Sequence, residues 1–205
     1  MAETPYYLHQ GVKVPRVSRI LSILREPQVE KWAAKTPDAE EQSADARRLG
    51  KQVHAYIAAD LQEQSFKLKA PTSQLMNAIT AYQAWKREHA DLLTLPRRIE
   101  HPFTLPQYGG TVDLVLGEYL VIDWKITGAI RPKHWIQVNA YIPLIWENQL
   151  SQRQVQIVRL DKDLGIYEAP EPRGFSQRIQ TTFDALRDVY VAWYAETDYK
   201  EKEAV

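Results

Sequence analysis

The chain has 205 residues, 44% of them hydrophobic and 25% charged, which suits one compact domain, or a domain with a small appendage, and makes disorder not the default reading. Lys plus Arg and Asp plus Glu both number 26, so the formal net charge is zero; coating nucleic acid through overall charge is excluded, whereas a local basic groove is not. With no cysteine, disulfides, zinc–thiolate centres and cysteine nucleophiles are excluded as well.

The opening Met-Ala-Glu-Thr-Pro-Tyr-Tyr lacks the basic and apolar regions of a secretory signal, and no apolar stretch is long enough to span a bilayer. A soluble, intracellular, cytoplasmic protein that meets no membrane is the expectation. No internal repeat or low-complexity segment stands out. The first part reads as helical, with Ser18 capping a run from Arg19 to Arg25 and a short turn from Val29 to Ala34 that brings in Trp32. Asp38 and Glu41 have capping-box spacing at the start of a longer helix bearing Leu49, Val53, Tyr56, Ile57 and Leu61. Gly50 inside that helix has no propensity reason to be there, so a close neighbour is expected against it. A third helix covers about Ser73 to Leu92, with Leu75, Ile79, Tyr82 and Trp85 on one side.

The pattern then changes. Arg98 to Thr104 alternates, with Ile99 and Phe103 on one face and Glu100 on the other. Tyr108 to Leu116 and Tyr119 to Ile126 follow, joined by Gly117-Glu118, a pair that suits a two-residue type II′ turn. Three antiparallel strands are therefore predicted at the centre. A helix from Lys133 to about Asn148 carries Trp135, Val138, Ile142 and Ile145, with Pro143 inside it as a kink or an end. Gln154 to Leu160 and Gly165 to Glu168 read as strands, and Ser176 caps a last helix with Ile179, Phe183, Leu186, Tyr190 and Trp193. The order implies an α/β layered fold.

The chemistry concentrates in Gly109-Gly110-Thr111-Val112-Asp113 and Val121-Ile122-Asp123-Trp124-Lys125. Asp123 and Lys125, two apart on a strand, project from one face, while Leu120, Ile122, Trp124 and Ile126 project from the other. A hairpin brings Asp113 beside that pair. Two carboxylates and an ammonium suit phosphodiester cleavage, because hard oxygen ligands hold Mg²⁺ or Mn²⁺ and the ammonium offsets charge in the transition state. An Asp-x-Lys pair by itself is common on solvated strand faces.

Gly110-x-x-Asp113, Asp123-Trp-Lys125 and Gln137-x-x-x-Tyr141 together resemble the PD-(D/E)XK nuclease superfamily. Arg48-Leu-Gly50-Lys-Gln-Val-His54 is similar to the helical Gly-x-x-x-His motif of its RecB-like exonuclease branch. Val14-Pro15-Arg-Val-Ser18-Arg-Ile20-Leu21, with Trp32 beyond, resembles the leading segment of phage and mitochondrial single-strand exonucleases in that branch. The five motifs run in order over roughly residues 14 to 168.

The resemblance implies a restriction-endonuclease-like core, a mixed central β-sheet flanked by helices. Residues 1–95 would form a mainly helical wall, 96–170 the catalytic sheet and 171–205 a C-terminal helix. It implies His54, Asp113, Asp123 and the Trp124 backbone carbonyl as ligands of Mg²⁺, with Mn²⁺ substituting, and Lys125 as the catalytic lysine. Glu100 matches a position where relatives place an acidic residue near the metal. Gln137 and Tyr141 would contact DNA or brace the site, joined by Arg48, Arg131 and Lys133, with Arg16, Arg19 and Arg25 on the rim. Trp135 is either core or a base-stacking aromatic. His89, His101 and His134 have no such company and read as incidental.

Two positions depart from the pattern. Ala58 stands where relatives often carry a glutamate, which weighs against two metals, and Pro143 interrupts the Gln-x-x-x-Tyr helix. The implied function is metal-dependent hydrolysis of DNA, foremost as an exonuclease in recombination, repair or processing of the phage kind. DNA ends are then the partner, together with a recombination or single-strand-binding protein, in a host cytoplasm if the source is viral. A structure-specific or nicking endonuclease, a catalytically silent DNA-binding or assembly module, and a hydrolase of another phosphodiester are the alternatives. No GxxxxGK[ST] loop is present, which argues against an NTPase.

Overall fold

A computed structural model describes residues 4–68 and 70–201. The chain starts with a hairpin, β1 (Tyr6–His9) and β2 (Val12–Pro15), where the sequence pattern gave no strand. Gln10 (φ 49°) and Gly11 (φ 83°) make its turn in the left-handed region, a turn signal that Gly11 alone announces. The short helix α1 (Val17–Ile20) follows, capped at Arg16 rather than Ser18, and tightens into a 3-10 turn at Leu21–Ile23. Helix α2 (Pro27–Lys35) buries none of its residues, and Trp32 remains 39% exposed.

Helix α3 (Ala39–Leu61) begins after Asp38, whose carboxylate accepts Gln42 Nε2 instead of closing a capping box. Helix α4 (Ser73–Glu88) is capped by Thr72, which accepts the Leu75 N–H at 3.2 Å. Val53, Ile57 and Leu61 of α3 meet Leu75, Ala78, Tyr82 and Trp85 of α4 in one apolar layer. Gly50 has nothing within 4 Å of where a Cβ would stand, so the expected close neighbour is absent from the fold and the space before it is open.

The sheet has the order β3 (Arg97–Thr104), β4 (Gly109–Leu116), β5 (Leu120–Lys125), β6 (Gln154–Leu160), β7 (Tyr167–Glu168), with β8 (Arg173–Gly174) also on β6. All neighbours are antiparallel except β5 and β6, which run parallel through helix α5 (Pro132–Ile145). The β4–β5 turn holds three residues, 117–119, since Leu116 pairs with Leu120; Gly117 takes its positive φ of 54°. Helix α6 (Gln177–Trp193) is capped by Ser176, and α7 (Ala195–Glu201) ends the described chain. Trp193, predicted on the buried side of α6, is its last residue and is 78% exposed.

The result is a mixed sheet with helices on both faces, the restriction-endonuclease-like arrangement. One layer joins α3 and α4 to Leu114, Leu116, Leu120, Ile122 and Trp124. The other joins α5 and α6 to Val112, Val115, Val121 and Ile157. Pro143 falls in the last turn of α5, two residues from its end, so the backbone bond it removes comes where the helix is about to stop. No helix among the described residues is long and apolar enough to cross a membrane.

Trp124 centres the first layer, edge-on to Trp85 at 4.7 Å and to Tyr82 at 5.5 Å between ring centroids. Trp85→Ala should therefore destabilise the protein by about 3–5 kcal/mol. The Trp85 indole N–H has no hydrogen-bond partner among the described residues, so Trp85→Phe, which removes it, should cost much less. Chemical denaturation of the two variants checks both values.

Candidate active site

The site lies where two neighbouring strands change face together. On β3, Ile99 packs in the α3/α4 layer, but Phe103 packs in the α5/α6 layer. Four residues of regular strand would keep both on one side. The expectation that Ile99 and Phe103 share a face is therefore corrected, and the cause is Glu100, whose φ of 46° turns the strand over. On β4 the same reversal separates Val112 from Leu114. Ladder pairs run from Ile99↔Leu114 to His101↔Val112, and Glu100 and Asp113 hold the one interrupted register position between them.

That interruption turns the two carboxylates toward α3. His54 Nδ1 lies 3.4 Å from Asp113 Oδ1 and 3.5 Å from Glu100 Oε1. One ligating atom from each of His54, Glu100 and Asp113 falls within 4.8 Å of the others. The second Asp113 oxygen accepts the Trp124 backbone N–H at 2.8 Å, just past the last β4–β5 pair, Leu114↔Ile122. Asp113 is thus fixed on one side by a main-chain donor and faces the cluster with the other.

Asp123 and Lys125 project from the same side of β5, as their spacing requires. Asp123 is 1% exposed, and its Oδ2 lies 2.6 Å from Lys125 Nζ. The contact is an ion pair without good hydrogen-bond alignment, so this buried oxygen keeps an unmet demand. Lys125 Nζ also donates to Gln137 Oε1 at 3.0 Å, and Gln137 Nε2 donates to the Tyr141 hydroxyl at 2.7 Å. Tyr141 is 4% exposed, and Gln137 holds its hydroxyl inside the fold. Gly110 is what lets it in: a Cβ there would stand 2.7 Å from Tyr141 Cε1.

Electrostatics set the charge states. Burial works against a charged His54, but the Asp113 and Glu100 carboxylates outweigh it and push its pKa up to about 10. Burial raises Asp113, yet the His54 and Lys125 charges and the Trp124 N–H hold it below the usual carboxylate range. Asp123 is pushed up to about 6 by burial, with Lys125 opposing and Asp113 adding to the rise. An imidazolium thus balances two carboxylates where a cation would balance them. The donor set, carboxylate oxygens with one imidazole and a buried carboxylate oxygen in want of a partner, fits a divalent cation.

The remaining expected residues are placed as follows. Arg131 and Lys133 both pair with Glu26, at 2.8 and 3.3 Å. Arg48 pairs with Asp45 on the exposed side of α3, and Arg25 lies 3.9 Å from Glu30. Arg16 donates to the Tyr7 hydroxyl, and Arg19 stands on α1. His134 accepts the Arg131 N–H at 3.2 Å; burial, Lys125 and Arg131 depress its pKa to about 4 and keep it neutral. His89 stacks on Trp85, and His101 meets Phe103 edge-on. Asp60, one turn and a half beyond His54, is taken by Tyr82 and Lys86 at 2.6 Å each.

Tyr7 escaped sequence reading. Its hydroxyl meets Thr111 Oγ1 at 2.6 Å, and its ring lies against Gly109, where a Cβ would stand 2.8 Å from Cδ2. The paired glycines Gly109-Gly110 were the available signal, since two rings press on them from two directions.

No family model and no curated protein matches the chain. Among solved structures it is similar to an alkaline exonuclease from Laribacter hongkongensis, at 13% identity and a TM-score of 0.49, over 93% of each chain. It is similar to LHK-Exo in complex with dAMP at 14% identity and a TM-score of 0.45, over 75% of this chain and 84% of that one. A phage-related exonuclease from Haemophilus somnus is similar at 14% identity and a TM-score of 0.45, over 95% of this chain and 97% of that one.

The left-handed Glu100 supplies a test that separates backbone from carboxylate. Glu100→Gly and Glu100→Ala remove the same oxygens, but only glycine adopts that φ without penalty. Glu100→Gly should be more stable than Glu100→Ala by about 1 kcal/mol. An ordinary strand position would favour alanine by about 0.5–1 kcal/mol, and denaturant unfolding decides the sign.

Proposed function

We propose that the protein is a deoxyribonuclease dependent on Mg²⁺, with Mn²⁺ able to substitute, that acts as an exonuclease on DNA ends. One observation carries this reading: the His54, Glu100 and Asp113 ligand cluster adjoins a lysine whose ammonium is held in place by Asp123 and Gln137. The motif resemblance agrees with it, because Asp113, Asp123 and Lys125 stand on adjoining strands in the required order.

His54, Glu100 and Asp113 would hold the cation, with Asp123 and the Trp124 carbonyl on the neighbouring strand beside them. When bound, a divalent cation supplies Lewis acidity to a phosphoryl oxygen and lowers the cost of generating a water-derived nucleophile. Lys125 Nζ donates to Gln137 Oε1 and is ion-paired to Asp123 Oδ2, which holds its ammonium in place. Its remaining donor capacity would serve a scissile phosphate oxygen or the attacking water. Its fixed charge stabilises negative charge that develops in the transition state without reorganising at that moment. Gln137, anchored by Tyr141, fixes the rotamer of Lys125. Asp113, tied to the Trp124 N–H, fixes the spacing between cluster and lysine.

DNA labelled at either end, single- and double-stranded, should be degraded from an end with Mg²⁺ or Mn²⁺ and remain intact in EDTA. Lys125→Ala should lower the rate by about 10²- to 10³-fold while leaving the fold unchanged. Cleavage of closed circles would move the assignment to an endonuclease. DNA binding without cleavage of any substrate would replace the enzyme by a silent binding module.

A further inference from the structure

A second feature lies outside the catalytic cluster. Between the first turns of α5 and α6 is a cavity of about 480 Å³, with Ile130, Ile136, Ile179 and Trp135 among its apolar walls. Its polar groups are three arginines, Arg131, Arg173 and Arg178, and a threonine, with no acidic residue among the lining. The volume falls in the range of small-ligand sites, roughly 300–1,000 Å³.

The arginines are not equivalent. Arg131 already shares Glu26 with Lys133. Arg173 lies over the Trp135 ring with its guanidinium carbon 3.7 Å from the centroid. Stacking there restrains the side chain and leaves the in-plane N–H donors for a planar or tetrahedral oxyanion. Arg178, exposed, stands in the first turn of α6, where no acidic residue accompanies it. A cation at that helix end is electrostatically unfavourable, so positive potential accumulates at the cavity mouth. Neither Arg173 nor Arg178 has a carboxylate at ion-pair distance among the described residues, in a chain of zero net charge.

We propose that this cavity is a nucleotide subsite for single-stranded DNA, with Arg173 and Arg178 on a phosphodiester and the isoleucine walls against an unstacked base. The occupant combines the two chemistries that the lining offers, an anion and an apolar ring. A duplex would keep its bases stacked and leave the isoleucines unused. Arg131, at the head of α5, lines the same cavity. Trp135 takes part as the platform for Arg173, not as a stacking surface for a base.

The identity of the ligand rests on the nuclease reading; the subsite and its anion preference do not. The test is fluorescence anisotropy of a labelled single-stranded oligonucleotide in EDTA, over a series of salt concentrations, with wild type and the double variant Arg173→Ala/Arg178→Ala. Both side chains are exposed, so thermal unfolding should be unchanged, and Arg178→Glu alone provides a second variant with a stronger charge reversal. The double variant should bind about tenfold more weakly, with the salt slope reduced by about 0.7, one single-strand phosphate contact's worth.

Unchanged affinity and slope would overturn the subsite. Equal, arginine-dependent binding of inorganic phosphate or dAMP would overturn the strand assignment in favour of a free-phosphate or product site. Cleavage assays on the same preparations separate the two claims. Arginine-dependent strand binding by a protein that cleaves nothing supports the subsite and removes the nuclease reading. Lys125-dependent cleavage with strand binding indifferent to the arginines removes the subsite alone.

Discussion

The site depends on a paired break in two neighbouring strands. Glu100 adopts a left-handed backbone at the register position opposite Asp113, and both strands change face there. A non-glycine residue in that conformation costs about 1–3 kcal/mol, which the flanking ladder pairs must hold in place. The break has a consequence that an unbroken ladder would not give. It frees both carboxylates from ordinary strand faces and turns them to His54 on α3. Asp113 then takes the Trp124 N–H in place of a backbone partner, so the sheet is mended by the same group that faces the cluster.

From that joint the rest follows by packing. Trp124 is locked between Trp85 and Tyr82, so β5 cannot rotate, and the residues on either side of Trp124 must face the opposite layer. These are Asp123 and Lys125. Helix α5 approaches that layer closely enough for Gln137 to reach Lys125 because Gly110 gives room to Tyr141. A neutral chain thereby separates its charge locally: acids converge on His54, and Lys125, Arg131, Lys133, Arg173 and Arg178 gather around the heads of α5 and α6.

Much of this was legible in the sequence, for reasons that differ by element. The strand around Asp123 announced itself because Leu120, Ile122 and Trp124 make one face apolar, and the two-residue spacing of Asp123 and Lys125 fixes their common side. His54 was legible through its motif, and Glu100 through the resemblance alone. The face change at Glu100 was not legible, since a left-handed glutamate leaves no compositional mark. Gly50 was misread for the opposite reason: its glycine marks open space near His54, not a packed neighbour. The β1–β2 hairpin was missed because exposed Leu8 and Val12 blur its alternation. Arg173 and Arg178 are far from the motifs in sequence and meet Arg131 only through the fold of α5 against α6.

The most direct measurement is a crystal structure grown with Mn²⁺ and recorded at a wavelength where manganese scatters anomalously. The account predicts an anomalous peak within ligand distance of His54, Glu100 and Asp113, with Glu100 still at positive φ and the Asp113 to Trp124 hydrogen bond intact. No peak at saturating Mn²⁺, or a peak elsewhere with those three side chains still ion-paired to one another, would contradict it.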